Sequence, residues 1–188
     1  MRSRRYLYDL VMILAGAITI GFDQWSKAAI RQRFPCDGTG YTPLFGQYFG
    51  LTCDYNTGAA FSIFNQGNKA LLFLFIGLAL AVVIWLYIRF ASQPSLLLKI
   101  SFGMILGGAA GNLIDRFRLG YVTDFLLFTV KSFVWPVFNL ADSAICIGIF
   151  LLMLYLWRRP GQAKRSSVTG ATNSPTTKEK PAEHTSTQ

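Results

Sequence analysis

Histidine and glutamate are absent from all but the last ten residues of this chain. His184, Glu179 and Glu183 lie near the C-terminus, whereas the preceding part carries seven aspartates. A Ser-His triad, a Cys-His pair and a histidine-ligated metal site all need an imidazole, so that part of the chain cannot form them. The three cysteines also lack the spacing of a metal site. An enzyme built from this sequence has to take its acid–base groups from aspartate, lysine, tyrosine or cysteine.

Charged residues are scarce as well. Only 14% of the 188 residues are charged, against about a quarter in an average soluble domain. Hydrophobic residues make up 52%, and the mean hydropathy is +0.38. This apolar excess has to face lipid or a large partner, so the composition indicates one membrane domain followed by a tail.

Four apolar runs cover residues 6–22, 70–88, 95–114 and 138–157. Each is close to the ~20 residues that an α-helix needs to cross ~30 Å of hydrocarbon. The predicted fold class is therefore an all-α membrane protein with four transmembrane helices within residues 1–159. The Ser-, Thr- and Pro-rich residues 160–188 are expected to form a disordered cytoplasmic tail.

Basic residues predict the orientation of these spans. Three arginines precede the first run, and a basic cluster follows the last, which places both termini in the cytoplasm. Arg89 and Lys99 bracket the short inner turn, and the outer loops become residues 23–69 and 115–137. The net charge is +9, but the basic residues flank the spans and do not gather on one folded face, so we expect no nucleic-acid partner.

The first outer loop has features of its own. Its stretches YFGLTCDYN and AAFSIF have strand character, which predicts a small extracytoplasmic β-rich region lying on the membrane. Cys36 and Cys53 both fall in this loop. A disulfide between them is a hypothesis that depends on the loop lying outside the cytoplasm.

Polar residues collect at the predicted outer ends of the spans. Charged groups at membrane depth are costly and normally face a protein interior, so their common depth predicts a shared polar pocket. Three interpretations stay open: helix-end caps and surface ion pairs, an ion or proton pathway in a transporter or channel, and a carboxylate pair that shares a proton and activates water. The residues concerned are Asp23, Lys27, Asn56, Asn112, Asp115, Arg116, Asp124, Asn139 and Asp142.

Five sequence blocks point to a known family. In chain order they are DQWSK, NTGAAFSIF, GGAAGNLIDR, GYVTDF and FNLADSAI. Together, over residues 8–158, the chain resembles lipoprotein signal peptidase, also called signal peptidase II. The blocks are specific as an ordered set, although the Asp-Gln pair alone is a weak signal.

The resemblance implies a multi-pass aspartic endopeptidase of the bacterial inner membrane whose active site faces the periplasm. Its substrates are prolipoproteins that carry diacylglycerol on a cysteine, and the cut falls on the N-terminal side of that cysteine. The family works without a metal or organic cofactor and is inhibited by the cyclic peptide globomycin; a monomer is expected.

Block by block, the catalytic aspartates of the family match Asp124 and Asp142. The supporting polar residues match Asp23, Lys27, Asn56, Asn112, Asp115, Arg116 and Asn139. The residues alone give only a modest reason to prefer Asp124 to Asp115: the adjacent Arg116 is expected to favour the ionised form of Asp115, which makes it a poorer partner for a shared proton.

Overall fold

A computed structural model describes residues 2–57, 69–90 and 92–158. Within them the chain forms four helices: α1 (Arg2–Arg33), α2 (Lys69–Phe90), α3 (Leu96–Leu119) and α4 (Leu140–Trp157). The segment AAFSIF and the predicted tail at 160–188 lie outside the described residues.

The four apolar runs each correspond to a helix. Three described stretches are long and apolar enough to cross a membrane, namely Tyr6–Arg33, Leu96–Leu119 and Leu140–Trp157. In α2 the described apolar stretch, Ile76–Phe90, is shorter. That all four helices cross the bilayer, with both termini in the cytoplasm, stays a prediction.

The outer loops begin later than predicted. Helix α1 does not end at Phe22 but continues to Arg33, because residues 23–33 contain no glycine or proline and their polar side chains contact α3. Helix α3 likewise extends to Leu119. It ends at Gly120, whose φ of 82° is the left-handed conformation that commonly follows a helix.

Small residues allow α3 to pack closely against α1 and α4. A Cβ atom added to Gly103 would lie 2.5 Å from the carbonyl oxygen of Met12 in α1. One added to Gly108 would lie 2.5 Å from the carbonyl oxygen of Ala141 in α4. Because no real Cβ fits at such distances, these glycines set how close the helix backbones come, as small residues do in membrane bundles.

A four-stranded antiparallel sheet accompanies the helices. Its strands, in sheet order, are β1 (Thr42–Phe45), β2 (Phe49–Asn56), β3 (Val122–Val130) and β4 (Phe133–Val134). Strand β2 confirms the strand character of YFGLTCDYN. The sequence analysis did not predict β3, which comes from the second outer loop. It pairs with β2 so that Asp124 lies opposite Asp54.

A disulfide joins Cys36 to Cys53. Cys53 lies in β2, is fully buried, and packs with Ile30 of α1 and Phe125 of β3. The bridge therefore fastens the loop after α1 to the strand that neighbours β3.

Candidate active site

Asp124 is a buried carboxylate near the start of β3. Its Oδ1 accepts a hydrogen bond from Asn139 Nδ2 at 2.6 Å, and its Oδ2 accepts one from Asn56 Nδ2 at 2.9 Å. The backbone N–H groups of the next two residues, Phe125 and Leu126, both donate to the carbonyl oxygen of Phe138, at 3.0 and 2.7 Å. Strand β3 is thereby fixed to the segment that leads into α4.

Asp142 lies in the first turn of α4, where it forms a reciprocal cap with Asn139. The Asp142 N–H donates to Asn139 Oδ1 at 2.9 Å, and the Asn139 N–H donates to Asp142 Oδ2 at 3.2 Å. This is the pattern of a capping box, with asparagine and aspartate in its two positions. The interpretation of Asp142 as a capping acid is therefore correct. Its other oxygen, Oδ1, accepts from Asn112 Nδ2 at 2.8 Å, so the cap does not account for all of its contacts.

The fully buried side chain of Asn139 connects the two carboxylates. Its amide oxygen is committed to the Asp142 N–H, so its NH2 group is the part that faces Asp124. The structure thus brings Asp124 and Asp142 together on one residue. That they form a catalytic pair stays a prediction. The Asp142 charge is close enough to act on the ionisation of Asp124.

Lys27 forms the centre of the supporting network. Its Nζ donates to Asp23 Oδ2 at 2.9 Å, to Asp115 Oδ2 at 3.2 Å and to Asn112 Oδ1 at 2.9 Å, which uses all three N–H bonds of the ammonium group. The side chains of Lys27, Asp23 and Asp115 are at most 1% exposed, so the interpretation of surface ion pairs is wrong. Because an ammonium group can only donate, Lys27 also orients Asn112 with its NH2 group toward Asp142.

The structure also corrects the partner that was expected for Asp115. Its carboxylate pairs with Lys27, and Arg116 Nη1 instead donates to the carbonyl oxygen of Asn112 at 3.4 Å. Neighbouring residues on a helix point in different directions, so Asp115 and Arg116 do not face each other. Arg116 nevertheless lies near enough to Asp124 and Asp142 to interact with both charges.

Sequence reasoning missed some polar contacts of this site. Gln24 Nε2 donates to Asp115 Oδ1 at 3.0 Å and to the carbonyl oxygen of Gly111 at 3.1 Å. Gln24 stands inside the DQWSK block, which was the available signal. The Ala141 N–H donates to Asp23 Oδ1 at 3.0 Å. No pattern of side chains in the sequence could predict this backbone contact.

Burial raises the pKa of Asp124 to about 6, and the nearby charge of Asp142 acts in the same direction. The hydrogen bonds from Asn56 and Asn139, together with the charge of Lys27, act in the opposite direction because they favour the carboxylate. A carboxyl group with this pKa exchanges its proton near neutral pH, as an acid–base catalyst must.

An apolar cavity of about 230 Å³ lies between α2, α3 and α4. Asn112 and Arg116 are its polar members, and Asn112 is the residue that donates to Asp142. An apolar chain in this cavity would therefore lie beside a residue that contacts Asp142. Its lining consists of Ile76, Ala79, Leu80, Val83, Ile105, Ala109, Asn112, Leu113, Arg116, Ile145 and Ile149. In the part of the chain that the structure describes, no group of three His, Cys, Asp or Glu residues could hold a metal ion.

Comparison with known proteins identifies the family of this chain. The family model described as signal peptidase (SPase) II matches residues 14–158. The lipoprotein signal peptidase of Moorella thermoacetica is 39% identical over 153 residues, which cover 81% of this chain and 97% of that protein. The lipoprotein signal peptidase of Halothermothrix orenii is 41% identical over 155 residues, which cover 82% of this chain and 95% of that protein.

The fold also matches a solved structure, that of a bacterial membrane enzyme at 1.9 Å resolution. The TM-score is 0.68 at 28% sequence identity, and the match covers 79% of this chain and 94% of that chain. The apolar helices and this likeness indicate a membrane protein. The resemblance read from the five sequence blocks is thus confirmed, and the chain belongs to the signal peptidase II family of peptidases.

Proposed function

We propose that this protein is an aspartic endopeptidase that removes signal peptides from diacylglyceryl-modified bacterial prolipoproteins. The cut falls on the N-terminal side of the lipidated cysteine. The observation that carries the proposal is the position of Asn139, whose side chain and backbone hydrogen-bond to both Asp124 and Asp142. Two aspartates held on one residue can act on one water molecule.

The chemistry needs one proton shared by the two carboxyl groups. Asp124, whose pKa is about 6, carries that proton, and Asp142 acts as the base. Asp142 takes a proton from water as the water oxygen attacks the scissile carbonyl, and Asp124 gives its proton to the carbonyl oxygen. Asp142 then passes its proton to the departing amine as the C–N bond breaks, and the hydroxyl group of the intermediate returns a proton to Asp124.

The lipid portion of the substrate fits the cavity between α2, α3 and α4. Its lining is apolar except for Asn112 and Arg116 at the end near Asp142. An acyl chain or the apolar core of a signal peptide can lie there while the scissile bond reaches the carboxylates. This arrangement allows water-dependent chemistry on a substrate that never leaves the bilayer.

The helices carry two polar layers, and their order along α1 and α3 supports a site at the outer surface of the inner membrane. The first layer contains Asp23 and Asp115. The second layer is the ion pair of Lys99 with Asp9, whose Nζ–Oδ1 distance is 2.5 Å. Along α1 and α3 it lies about 20 Å from Asp23 and Asp115, at 1.5 Å per residue. With the basic N-terminus in the cytoplasm, Asp9 and Lys99 lie toward the inner side and the aspartate pair toward the periplasm.

The transporter or proton-channel alternative is less well supported. Transport sites lie near the bilayer midplane, often at broken helices. Here Asp124 is on a strand, and Asp142 opens a helix. Membership of a peptidase family favours hydrolysis. The family resemblance further predicts a monomer that needs no metal or organic cofactor and is inhibited by globomycin.

Asp124→Asn and Asp142→Asn test the proposal. Each variant should lose cleavage of a diacylglyceryl-modified prolipoprotein in detergent or liposomes, while the protein still inserts and folds. Asp37→Asn is the matched control, because Asp37 is exposed and hydrogen-bonds Thr39 in the loop after α1. Asp115→Asn should affect mainly stability. Wild-type turnover by Asp124→Asn would place the catalytic pair elsewhere.

A further inference from the structure

Thr123, the residue before Asp124, is held by two helices. Its Oγ1 accepts a hydrogen bond from Arg31 Nη1 in α1 at 2.8 Å, and its N–H donates to Asp115 Oδ2 in α3 at 3.2 Å. Thr123 is fully buried, and it pairs with Tyr55 in the sheet. The start of β3 is thus fastened from three sides immediately before the carboxylate of Asp124.

Arg31 makes this contact from the last turn of α1, beyond the DQWSK block that carries the family resemblance. It is half-buried, and a cation at a helix C-terminus is favoured by the helix dipole. Its charge also acts on Tyr121, which lies two residues before Thr123. Arg31 therefore reaches across from the helix to the first residues of β3.

We propose that Arg31 is a positioning residue for catalysis, because its charge-assisted hydrogen bond to Thr123 fixes the start of β3 and hence the carboxylate of Asp124 relative to Asp142. This inference rests on the proposed role of Asp124. On the other side of Asp124, the N–H groups of Phe125 and Leu126 are held by the Phe138 carbonyl. Arg31 supplies an anchor before Asp124 that a single substitution can remove without altering the backbone.

Loss of this anchor should slow the reaction, because the rate depends strongly on the position of the reacting groups. A displacement of about 1 Å in a reacting group can cost 10²-fold in rate. Losing one charge-assisted hydrogen bond loosens the strand without unfolding it. We expect kcat to fall about tenfold and KM to stay within about twofold, since the cavity that receives the apolar substrate is lined by residues of α2, α3 and α4.

The experiment is a double-mutant cycle of Arg31→Ala and Thr123→Val with Arg33→Ala as the control. Thr123→Val removes the hydroxyl group with little change in shape, and it tests the same bond if Arg31→Ala fails to fold. Arg33 is exposed in the same helical turn, and its removal should leave kcat unchanged. Both single variants should lose similar activity, and the double variant should be no worse than the poorer single variant. Arg31→Lys should restore part of the rate.

A pH series adds a readout that a merely structural role would not change. A loosened strand weakens the hydrogen bonds from Asn56 and Asn139 that favour the Asp124 carboxylate. The alkaline limb of kcat/KM should therefore move to higher pH in Arg31→Ala.

Three results would overturn the inference: wild-type kcat in Arg31→Ala and Thr123→Val, a double variant whose loss is the product of the single losses, or a loss confined to the amount of folded protein. If Asp124→Asn is inactive while Arg31→Ala behaves like wild type, only the role of Arg31 fails. If Asp124→Asn is active, the proposed function itself fails.

Discussion

Replacing Lys27 with methionine should strongly destabilise this protein. The substitution keeps the volume of the side chain but removes an ammonium group that donates to Asp23, Asp115 and Asn112. Removing one partner of a buried ion pair typically costs about 3–5 kcal/mol, because the remaining charge stays buried without compensation. Two carboxylates are affected here.

The contacts that remain in Lys27→Met limit its loss of stability. Asp115 keeps its hydrogen bonds from Gln24 and Thr123, and Asp23 keeps those from Gln24 and the Ala141 N–H. We therefore expect a decrease in the free energy of unfolding of about 3 kcal/mol, at the lower end of that range. Activity should fall as well, because Asn112 Oδ1 would keep only the donor from Asn139 Nδ2, at 3.1 Å, and the Asn112 NH2 group that donates to Asp142 would be held less firmly.

Equilibrium unfolding in mixed micelles with increasing SDS, followed by circular dichroism, measures this change. Lys99→Met is the matched control: it also removes a buried lysine from an ion pair, but it leaves one carboxylate without its partner instead of two, and that carboxylate, Asp9, is 33% exposed. That variant should lose less stability than Lys27→Met. A loss below 1 kcal/mol in Lys27→Met, or equal losses in the two variants, would refute the electrostatic reasoning.

Two further predictions concern pH and the disulfide. Because the proposed mechanism requires protonated Asp124, kcat/KM should fall as the pH rises through about 6. Asn56→Ala removes a donor to the carboxylate and should move that limb to higher pH; a pH series on both enzymes checks this, and a shift to lower pH would contradict it. Reduction of the Cys36–Cys53 bridge, which closes a sequence separation of 17, should lower the free energy of unfolding by about 3 kcal/mol. The Cys36→Ser/Cys53→Ser variant should be equally destabilised and insensitive to reductant in the same unfolding assay.

Which residues form the site could be predicted in part, because residues three or four apart lie on one face of a helix. Asp23 and Lys27 are four apart, and Asn112 and Asp115 are three apart. Polar residues at one membrane depth have no favourable place except a shared interior. These two constraints were enough to bring together residues from α1 and α3.

The pairing inside the site could not be predicted from those constraints. Arg116, the neighbour of Asp115 in sequence, was expected to favour its ionised form, but the groups that donate to this carboxylate are Lys27, Gln24 and the backbone N–H of Thr123. The last contact exists only because β3 docks against α3. Strand β3 in turn depends on pairing with β2 and on hydrogen bonds to the carbonyl of Phe138. These contacts join residues distant in sequence, so no local sequence pattern predicts them.

Two physical effects together explain why a carboxylate, Asp142, stands at the start of the apolar helix α4. The first N–H groups of α4 have no partner within the helix, and an anion there is favoured by the helix dipole. Asp142 and Asn139 satisfy two of these groups reciprocally, and this cap fixes the Asn139 side chain so that its NH2 group faces Asp124. The hydrogen bonds that cap the helix therefore also orient a side chain of the candidate active site. We therefore predict that a substitution of Asn139 lowers stability and activity together, whereas Asp124→Asn, at a residue that caps no helix, should remove activity at a smaller cost in stability.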